Sequence, residues 1–475
     1  MLFNSIEFAV FLPVVFVVYW FVLKNSLRGQ NLLLLFAGYF FYGWWDVRFL
    51  GLLFFSTFLD YFSGLQIHQA LSHQRKKLWL LISVIANLGF LGFFKYYNFF
   101  AESFAALLTQ VGLQPNLWTL QIILPVGISF YTFHGLSYVF DIYNGKTQPT
   151  KQFVEYGVFV CFFPLLVAGP IERATHLLPQ FFKSRVFNAA LATQGLRLIL
   201  WGLFKKMAVA DNCSKVVDEV FTNYSTCSGI ELSMGAVFFA IQIYCDFSGY
   251  SDIAMGSARL FGFELLTNFK TPYFSRDIAE FWRRWHISLT TWFRDYVYIP
   301  LGGSKGGAWS AIRNTIVIFL LSGFWHGANW TFVFWGALNA LYFVPLLLTG
   351  TNRNHVDTVA SGRMLPNIKE LAQMAFTFSL VCVAWILFRS DNLQAAFGYF
   401  SAMASNTFAG FSLSAWNSIL LVPIGFWLLV DWTTREAGVS EVKGTWRLVA
   451  FDIFLILMIL AFGSFSHRSF IYFQF

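Results

Sequence analysis

A histidine inside a long uncharged run is the residue of this sequence best suited to chemistry. His326 lies in LLSGFWHGANWTFVFWG, and no Asp, Glu, Lys or Arg occurs between Asn314 and Asn352. At about 1.5 Å of helix rise per residue, it lies roughly 20 Å along a helix from Arg313, the nearest charge. That distance predicts a position deep in a hydrocarbon layer about 30 Å thick. Ionisable residues at such depth are functional by default.

The imidazole of His326 has two interpretations. It is either a core histidine satisfied by a backbone carbonyl or a neighbouring helix, or the base of a buried reaction site. An unpartnered polar group in hydrocarbon costs several kcal/mol, which favours the functional interpretation. Desolvation favours the neutral ring, the form that accepts a proton from a hydroxyl.

A second histidine follows two adjacent arginines. His286 lies in WRRWHISLTTW, where the alternative is an interfacial histidine among aromatic anchors. Arg283 and Arg284 are either cytoplasmic-edge anchors or a phosphate-binding edge, because guanidinium groups match phosphate geometry. Two adjacent arginines are a weak signal by themselves.

Other polar residues predict less. Asp246 and Asp252 in YCDFSGYSDIAMG are six residues apart and share no helical face, so structural hydrogen bonding or orientation of a cationic partner is expected instead of a carboxylate dyad. Ser322 precedes His326 without a supporting acid or a G-x-S-x-G motif. Tyr472, in the C-terminal SHRSFIYFQF, is either part of an aromatic belt or a phenolic hydroxyl near the chemistry.

The composition indicates the class of protein that carries these residues. The 475 residues are 57% hydrophobic and 12% charged, against about 25% charged in soluble domains. The apolar runs are longer than the alternating segments of a β-barrel, so the chain is predicted to be an all-α, polytopic membrane protein. Its charge of +8 is not clustered on a soluble face, which argues against nucleic acid. Five scattered cysteines without ligand spacing predict neither a disulfide framework nor a metal site.

One membrane domain is predicted over 1–475, with no soluble domain. Lys24 and Arg28 follow the first span and a basic run follows the third, which predicts the N-terminus outside and the 67–77 loop in the cytoplasm. The first span has no cleavage site and is predicted to be retained. Spans are predicted near 6–23, 31–45, 49–66, 78–95, 118–140, 152–169, 195–210, 230–248, 314–347, 371–388, 415–431 and 446–463.

Two stretches depart from simple crossings. The 314–347 stretch is too long for one crossing, so it is either a strongly tilted helix or a helix broken near Gly323 and Gly327. The 264–313 stretch mixes charges with aromatic residues and is predicted to be interfacial or re-entrant. As one helix it would place a single set of residues on a common face: Phe281, Trp285, Ser288 and Trp292.

The block FWRRWHISLTTWFRDYVYIPLGG, followed by SGFWHGANW, resembles the membrane-bound O-acyltransferase (MBOAT) family. The resemblance is closest to its bacterial, AlgI-like branch of alginate O-acetyltransferases and spans essentially the whole chain. Supporting blocks are FKYYNFF, LPVGISFYTFHGLSYVFDIYNG, LVAGPIERATHLLPQF and YCDFSGYSDIAMG.

The resemblance implies a helical bowl with re-entrant segments around a central tunnel. His326 corresponds to the family's catalytic histidine, and His286 to the histidine that faces the tunnel. The donor is a cytoplasmic thioester, such as acetyl-CoA, with no bound cofactor. The donor-binding edge then comprises Arg283, Arg284 and Trp285. By analogy with wall-acylation systems, Tyr472 receives the acyl group after His326 activates its hydroxyl.

The expected function is that of a membrane O-acetyltransferase subunit in the bacterial cytoplasmic (inner) membrane. It would serve an exported, alginate-like polysaccharide through an extracytoplasmic SGNH-type partner, with membrane lipid around it. The peptidoglycan or other cell-wall polymer is the alternative acceptor. A polysaccharide or lipid transporter with His326 as a proton relay, and a lipid acyltransferase of the eukaryotic type, are the remaining alternatives.

Overall fold

The computed structural model describes residues 1–113, 120, 122–167, 169–405, 418–439, 445–466 and 468–473. Over these residues the regular elements are helices, and no strand occurs among them. The described chain divides into two compact units. The prediction of a single membrane domain over 1–475 stays a prediction beside this division.

The first unit comprises Met1, Glu7–Asn188 and Phe261–Leu265. Ser26 and Ser72 cap its second and fourth helices through their hydroxyl groups, which accept backbone N–H groups of the first turn. A π-helical turn, Gly92–Tyr96, joins the fourth helix to the fifth. The helices are α1 Ile6–Val17, α2 Leu27–Gly43, α3 Leu50–Gln69, α4 His73–Leu91, α5 Tyr97–Gln110, α6 Ile128–Tyr143, α7 Phe153–Cys161 and α8 Ala174–Leu177.

The second unit comprises Leu2–Ile6, Ala189–Leu260 and Leu266–Phe475. Its longest helix is almost wholly buried along its second half. The helices are α9 Ala189–Leu203, α10 Asp211–Thr222, α11 Gly229–Leu260, α12 Ile278–Arg284, α13 Ile287–Phe293, α14 Gly307–His326, α15 Trp330–Leu348, α16 Ile368–Arg389, α17 Leu393–Ser405, α18 Leu421–Thr433 and α19 Thr445–Phe462. π-Helical turns follow α9 at Phe204–Ala210 and α13 at Arg294–Tyr298.

Within the described residues, six helical stretches are long and apolar enough to cross a membrane. The predicted all-α, multi-pass fold is therefore confirmed. The stretches are Val47–Gln69, His73–Gln110, Gly229–Leu260, Gly307–His326, Trp330–Leu348 and Ile368–Arg389. Ile6–Val22 and Leu421–Thr433 are shorter apolar helices.

Two predicted crossings are wrong because apolar residues there form turns. The predicted span 152–169 is helical only over α7, which ends before Phe162. The predicted span 118–140 begins outside the described residues and is helical only from Ile128. Gly127 precedes that helix at φ 74°, and a Cβ there would lie 2.1 Å from the Leu166 carbonyl oxygen. The first residues of the predicted span 415–431 also lie outside the described residues.

The 314–347 stretch is a broken helix, as one of the two alternatives predicts. α14 ends at His326, and the Asn329 side chain caps α15 by accepting the Thr331 N–H. The two helices pack backbone to backbone at glycines, since a Cβ on Gly323 would lie 2.2 Å from the Phe332 carbonyl oxygen. Gly336 makes the equivalent approach to α14.

The predicted common face of Phe281, Trp285, Ser288 and Trp292 is wrong because no single helix carries these residues. α12 ends at Arg284, and His286 adopts a left-handed conformation at φ 43° before α13. Such a conformation costs a non-glycine residue about 1–3 kcal/mol. Backbone hydrogen bonds support the break: the Ile287 N–H donates to Asn268 and the Lys270 N–H to Arg284.

Candidate functional site

A cavity of about 470 Å³ lies in the second unit and includes both predicted histidines. One wall is a single face of α14, with Thr315, Phe319, Ser322 and His326 at helical spacing. These residues extend over roughly 16 Å at the helical rise per residue. The other walls come from α12, α13 and α15. The cavity is therefore long enough to connect chemically different ends.

At one end, His326 is surrounded by aromatic rings. It is the last residue of α14 and is 4% exposed. Its ring centroid lies 5.1 Å from that of Trp335, 5.3 Å from Phe388 and 5.5 Å from Tyr472. Aromatic walls of this kind exclude water, which strengthens electrostatic interactions inside and limits hydrolysis of a reactive acyl group.

His286 lines the same cavity in a fixed orientation. Its Nδ1 lies 2.9 Å from Oδ1 of Asn268. Because an amide oxygen only accepts, Nδ1 carries the hydrogen and Nε2 offers a lone pair. Among the described residues Nε2 has no hydrogen-bonding partner. His286 lies outside the membrane-spanning helices, and burial lowers its pKa to about 3, so the ring is neutral near pH 7.

Asn268 ties His286 into a longer polar chain. Its Oδ1 also accepts the Ser288 hydroxyl at 3.0 Å, and its Nδ2 donates to the Ser251 hydroxyl at 3.1 Å. Asn268 is itself completely buried. The geometry of His286 is thus determined by a residue that the sequence analysis did not single out, because an asparagine in NFKTPYF carries no motif.

Positive charge lines the cavity away from His326. Arg283, Arg294 and Arg353 contribute to its lining, together with Asn352. Arg283 donates to the carbonyl oxygens of Asn352 at 2.8 Å and His355 at 2.6 Å, so its charge is not neutralised by these partners. Sequence reasoning missed Arg353, although it is the first charge after the uncharged run.

The two adjacent arginines point to different places. Arg284 pairs with Glu280 at 2.9 Å and donates to the Asp357 carbonyl oxygen. It lines a second cavity, and it is not part of the lining of the first. Trp285 does line the first cavity and packs on Phe281 and Trp385. The structure therefore brings Arg283 and Trp285 to the histidines and separates Arg284 from them.

The second cavity has a volume of about 400 Å³ and lies in the same unit. Lys205 pairs across its lining with Asp252 at 2.6 Å and donates to the Ser248 hydroxyl. Asp431 accepts the Tyr244 hydroxyl and the Trp427 indole N–H, each at 3.0 Å. Charged side chains on its lining are Lys205, Asp252, Arg259, Lys270, Arg284, Asp431, Arg435 and Glu436.

The predicted roles of the α11 aspartates are confirmed. Asp252 pairs with Lys205, and Asp246 pairs with Lys206 at 2.8 Å, so each orients a cationic partner and they form no dyad. Asp246 Oδ2 also accepts the Ile471 N–H at 2.7 Å. This contact brings the chain next to Tyr472 into the second unit's interior.

Tyr472 lies beside His326. Its ring centroid is 4.6 Å from that of Phe247 and 5.5 Å from that of His326. The Phe247 ring in turn packs nearly perpendicular to the His286 ring, with the two ring centroids 4.6 Å apart. The structure therefore collects His326, His286 and Tyr472 around one aromatic cluster, and the catalytic roles assigned to them stay predictions.

Comparison with known proteins gives this site a family. Residues 150–388 match the model of the membrane-bound O-acyltransferase family. The chain is 40% identical over 419 residues to the probable alginate O-acetylase AlgI of Pseudomonas putida, which covers 88% of this chain and 82% of the relative.

Two further relatives are also named as O-acetylating enzymes. The probable alginate O-acetylase AlgI of Pseudomonas aeruginosa is 40% identical over 419 residues, 88% of this chain and 77% of the relative. The peptidoglycan O-acetyltransferase of Helicobacter pylori is 36% identical over 426 residues, 83% of this chain and 78% of the relative. The chain belongs to the membrane-bound O-acyltransferase family and is a multi-pass membrane O-acyltransferase.

Proposed function

We propose that this chain transfers an acetyl group from a cytoplasmic thioester to a hydroxyl acceptor, for O-acetylation of an exported polysaccharide. One observation carries the proposal: a single cavity connects two buried imidazoles with exposed positive charge. The imidazoles suit acyl transfer, and the arginines suit a phosphate-bearing donor such as acetyl-CoA. Trp285 lines the same cavity as Arg283 and His286, which supports its proposed part in binding the donor.

The proposed reaction needs one base and no external reductant or oxidant. His326 takes the proton from the acceptor hydroxyl as that oxygen attacks the thioester carbonyl carbon. The tetrahedral adduct collapses, the C–S bond breaks, and the thiolate takes the proton from the imidazolium. One ester is formed, one thiol leaves, and His326 is neutral again. The lone pair on His286 Nε2 accepts a hydrogen bond from the donor's thiol-bearing arm.

We propose Tyr472 as the first acceptor. Its ring lies next to that of His326, which supports the role expected by analogy with wall-acylation systems, in which Tyr472 receives the acyl group. A phenol has a pKa near 10, well below that of a sugar alcohol, so its acetyl ester is reactive enough to pass the group onward. An extracytoplasmic SGNH-type transferase would receive the acetyl group and esterify the polymer.

The proposed acceptor polymer is alginate-like, because curated relatives of about 40% identity are named alginate O-acetylases. The peptidoglycan O-acetyltransferase of Helicobacter pylori keeps peptidoglycan as the alternative. The proposed location is the bacterial cytoplasmic membrane, surrounded by lipid, with the arginine-lined end of the cavity facing the cytoplasm. The bias of Lys and Arg toward that side supports this orientation.

A strain carrying His326→Ala tests the function. We expect polymer O-acetyl ester to disappear while polymer export continues at the parental level. Loss of export with the same variant would instead support a transporter. His73→Ala is the matched control, because that histidine is exposed at the start of α4, and immunoblotting checks that both variants accumulate equally.

A further inference from the structure

Two neighbouring lysines form separate buried ion pairs on the π-helical turn Phe204–Ala210. Lys205 pairs with Asp252 at 2.6 Å. Lys206 pairs with Asp246 and with Asp211, and its Nζ lies 2.8 Å from a carboxylate oxygen of each. The side chains of Lys206 and of both its acids are 1–4% exposed. π-Helical turns inside helices occur frequently at functional sites. One of the two pairs contacts the C-terminal segment, whereas Lys205 pairs on the lining of the second cavity.

The Lys206 cluster carries one more carboxylate than it has lysines. Burial of a charge is stable only when it is paired and hydrogen-bonded. The Ile471 N–H supplies a donor to Asp246 Oδ2 at 2.7 Å, and Lys206 Nζ lies 3.4 Å from the Ser469 carbonyl oxygen. The backbone of the C-terminal segment therefore completes the electrostatics of the cluster.

Further contacts hold the same C-terminal segment, residues 464–466 and 468–472, against the rest of the second unit. The Ser464 N–H donates to the Met207 carbonyl oxygen at 2.9 Å, so the segment meets the π-helical turn again. Arg468 pairs with Asp218 of α10 at 3.1 Å. Phe470 packs on Tyr250 and stacks on Tyr472 at 5.4 Å between ring centroids. These contacts accompany the position of Tyr472, whose ring lies next to that of His326.

We propose that the buried Lys206–Asp246 pair is a clamp that positions Tyr472 against His326 for acetyl transfer. Lys206 and Asp246 are positioning residues: they act on the backbone one residue before Tyr472 and take no part in bond making. The inference rests on the proposed role of Tyr472 as acceptor. Its placement by the clamp is nevertheless measurable without any acyl transfer.

Tail placement is measured by limited proteolysis of the full chain in detergent. We expect trypsin to cleave the Arg468–Ser469 bond when the segment dissociates from these contacts, and the intact mass of the protein reports the loss of the peptide. We expect Lys206→Met to raise the cleavage rate at least about tenfold, because hydrogen bonds to charged groups are lost. Lys205→Met is the matched control, since it deletes an adjacent buried pair and leaves the segment's contacts intact; it should leave the rate within about twofold.

A second variant avoids disturbing the charges. Ile471→Pro removes the N–H donor to Asp246 together with the buried isoleucine side chain, at the first residue of a short helical turn where proline is tolerated. Ile471→Ala keeps the N–H and controls for the lost side chain. We expect the proline variant alone to release the segment and to lower the rate of Tyr472 acetylation from acetyl-CoA about tenfold, with an unchanged KM for the donor. Lys206→Arg should restore part of the Lys206→Met loss.

The clamp proposal is wrong if trypsin cleaves the Lys206→Met and Lys205→Met variants at the same rate. It is also wrong if the Ile471→Pro and Ile471→Ala variants have the same rates of cleavage and of Tyr472 acetylation. Failure of the acceptor role gives a different result. If Tyr472→Phe acetylates polymer as fast as the parent, Tyr472 is not the acceptor, whatever the proteolysis shows. Faster cleavage of the segment with an unchanged rate of Tyr472 acetylation would show that the pair holds the segment without positioning Tyr472. That result would overturn the proposal.

Discussion

Two cavities among the described residues of the second unit are similar in size and differ in chemistry, with volumes of about 470 and 400 Å³. In the first, His286, His326, Trp282 and Trp285 line the space together with three arginines and no acidic residue, and His286 Nε2 has no hydrogen-bonding partner among the described residues. In the second, Lys205 pairs with Asp252, and Asp431 accepts two side-chain donors. The difference teaches that two cavities of similar volume can differ in their supply of bases. We expect a reaction site to be marked by an imidazole lone pair that is available to a substrate, and not by volume.

The border between the cavities runs through consecutive residues. Arg283 lines the first cavity and Arg284 the second. The polar chain from His286 through Asn268 ends at Ser251, which lines the second cavity. Substitutions can therefore make one cavity resemble the other, or disturb one and leave its neighbour unchanged.

The largest effect is expected from giving the first cavity a carboxylate like those that line the second. Ser322→Asp places a carboxylate four residues before His326 on the same face of α14. A nearby carboxylate favours the imidazolium by 1–3 pKa units, and an imidazolium accepts no proton, so turnover should fall by about 10–1,000-fold.

Thiol release from acetyl-CoA by purified protein measures that loss. Ser322→Asn has nearly the same shape without the charge and should retain most of the turnover. Equal loss in the two variants would show that the site responds to volume and not to charge.

The next effect concerns one arginine from each cavity and the KM for the donor. Arg353→Gln should raise the KM for acetyl-CoA about tenfold to 100-fold with little change in kcat, since it removes a charged hydrogen-bond donor to phosphate. Arg284→Gln should leave that KM unchanged because Arg284 lines the other cavity. Acetyl-pantetheine, which lacks the nucleotide phosphates, should show no Arg353 effect. An equal KM change for both donors would remove the phosphate assignment.

A smaller effect is expected where the polar chain links the cavities. Asn268→Leu removes the acceptor of His286 Nδ1 and should lower kcat about tenfold. Ser251→Ala cuts only the far end of the chain and should cost less. Steady-state kinetics with acetyl-CoA compares them, and a larger loss from Ser251→Ala would place the important end of the chain at the second cavity.

The smallest effect on turnover is expected inside the second cavity. Lys205→Met leaves Asp252 buried without its cation, which should reduce stability by about 3–5 kcal/mol. Turnover per folded molecule should nevertheless stay within about twofold. Thermal unfolding in detergent and thiol release, measured on the same preparation, separate the two quantities. A selective loss of turnover at full stability would assign the second cavity a part in the reaction.

The sequence predicted the residues whose surroundings are unusual along the chain. His326 stands out because it lies inside an uncharged run, and Asp246 and Asp252 because they interrupt an apolar helix. The blocks around His286 and His326 were specific enough to indicate the family. These features depend on local composition, which a single sequence displays directly.

Other features depend on tertiary contacts and could not be predicted. The helix break at His286 needs backbone hydrogen bonds from residues 268–270, which helical periodicity does not contain. The different cavities of Arg283 and Arg284 likewise depend on tertiary contacts, since Arg283 donates to carbonyl oxygens of Asn352 and His355 that are distant in sequence. Lys206 looked like any basic residue near a span end, and only the fold shows that it contacts the segment carrying Tyr472.

The most direct test is a single turnover with radiolabelled acetyl-CoA and purified protein. We expect the parent protein to release one thiol for each acetyl group transferred, and His326→Ala to bind the donor with unchanged Kd while transfer slows by about 100-fold or more. Transfer at the parental rate in His326→Ala would contradict the proposal that this imidazole is the base.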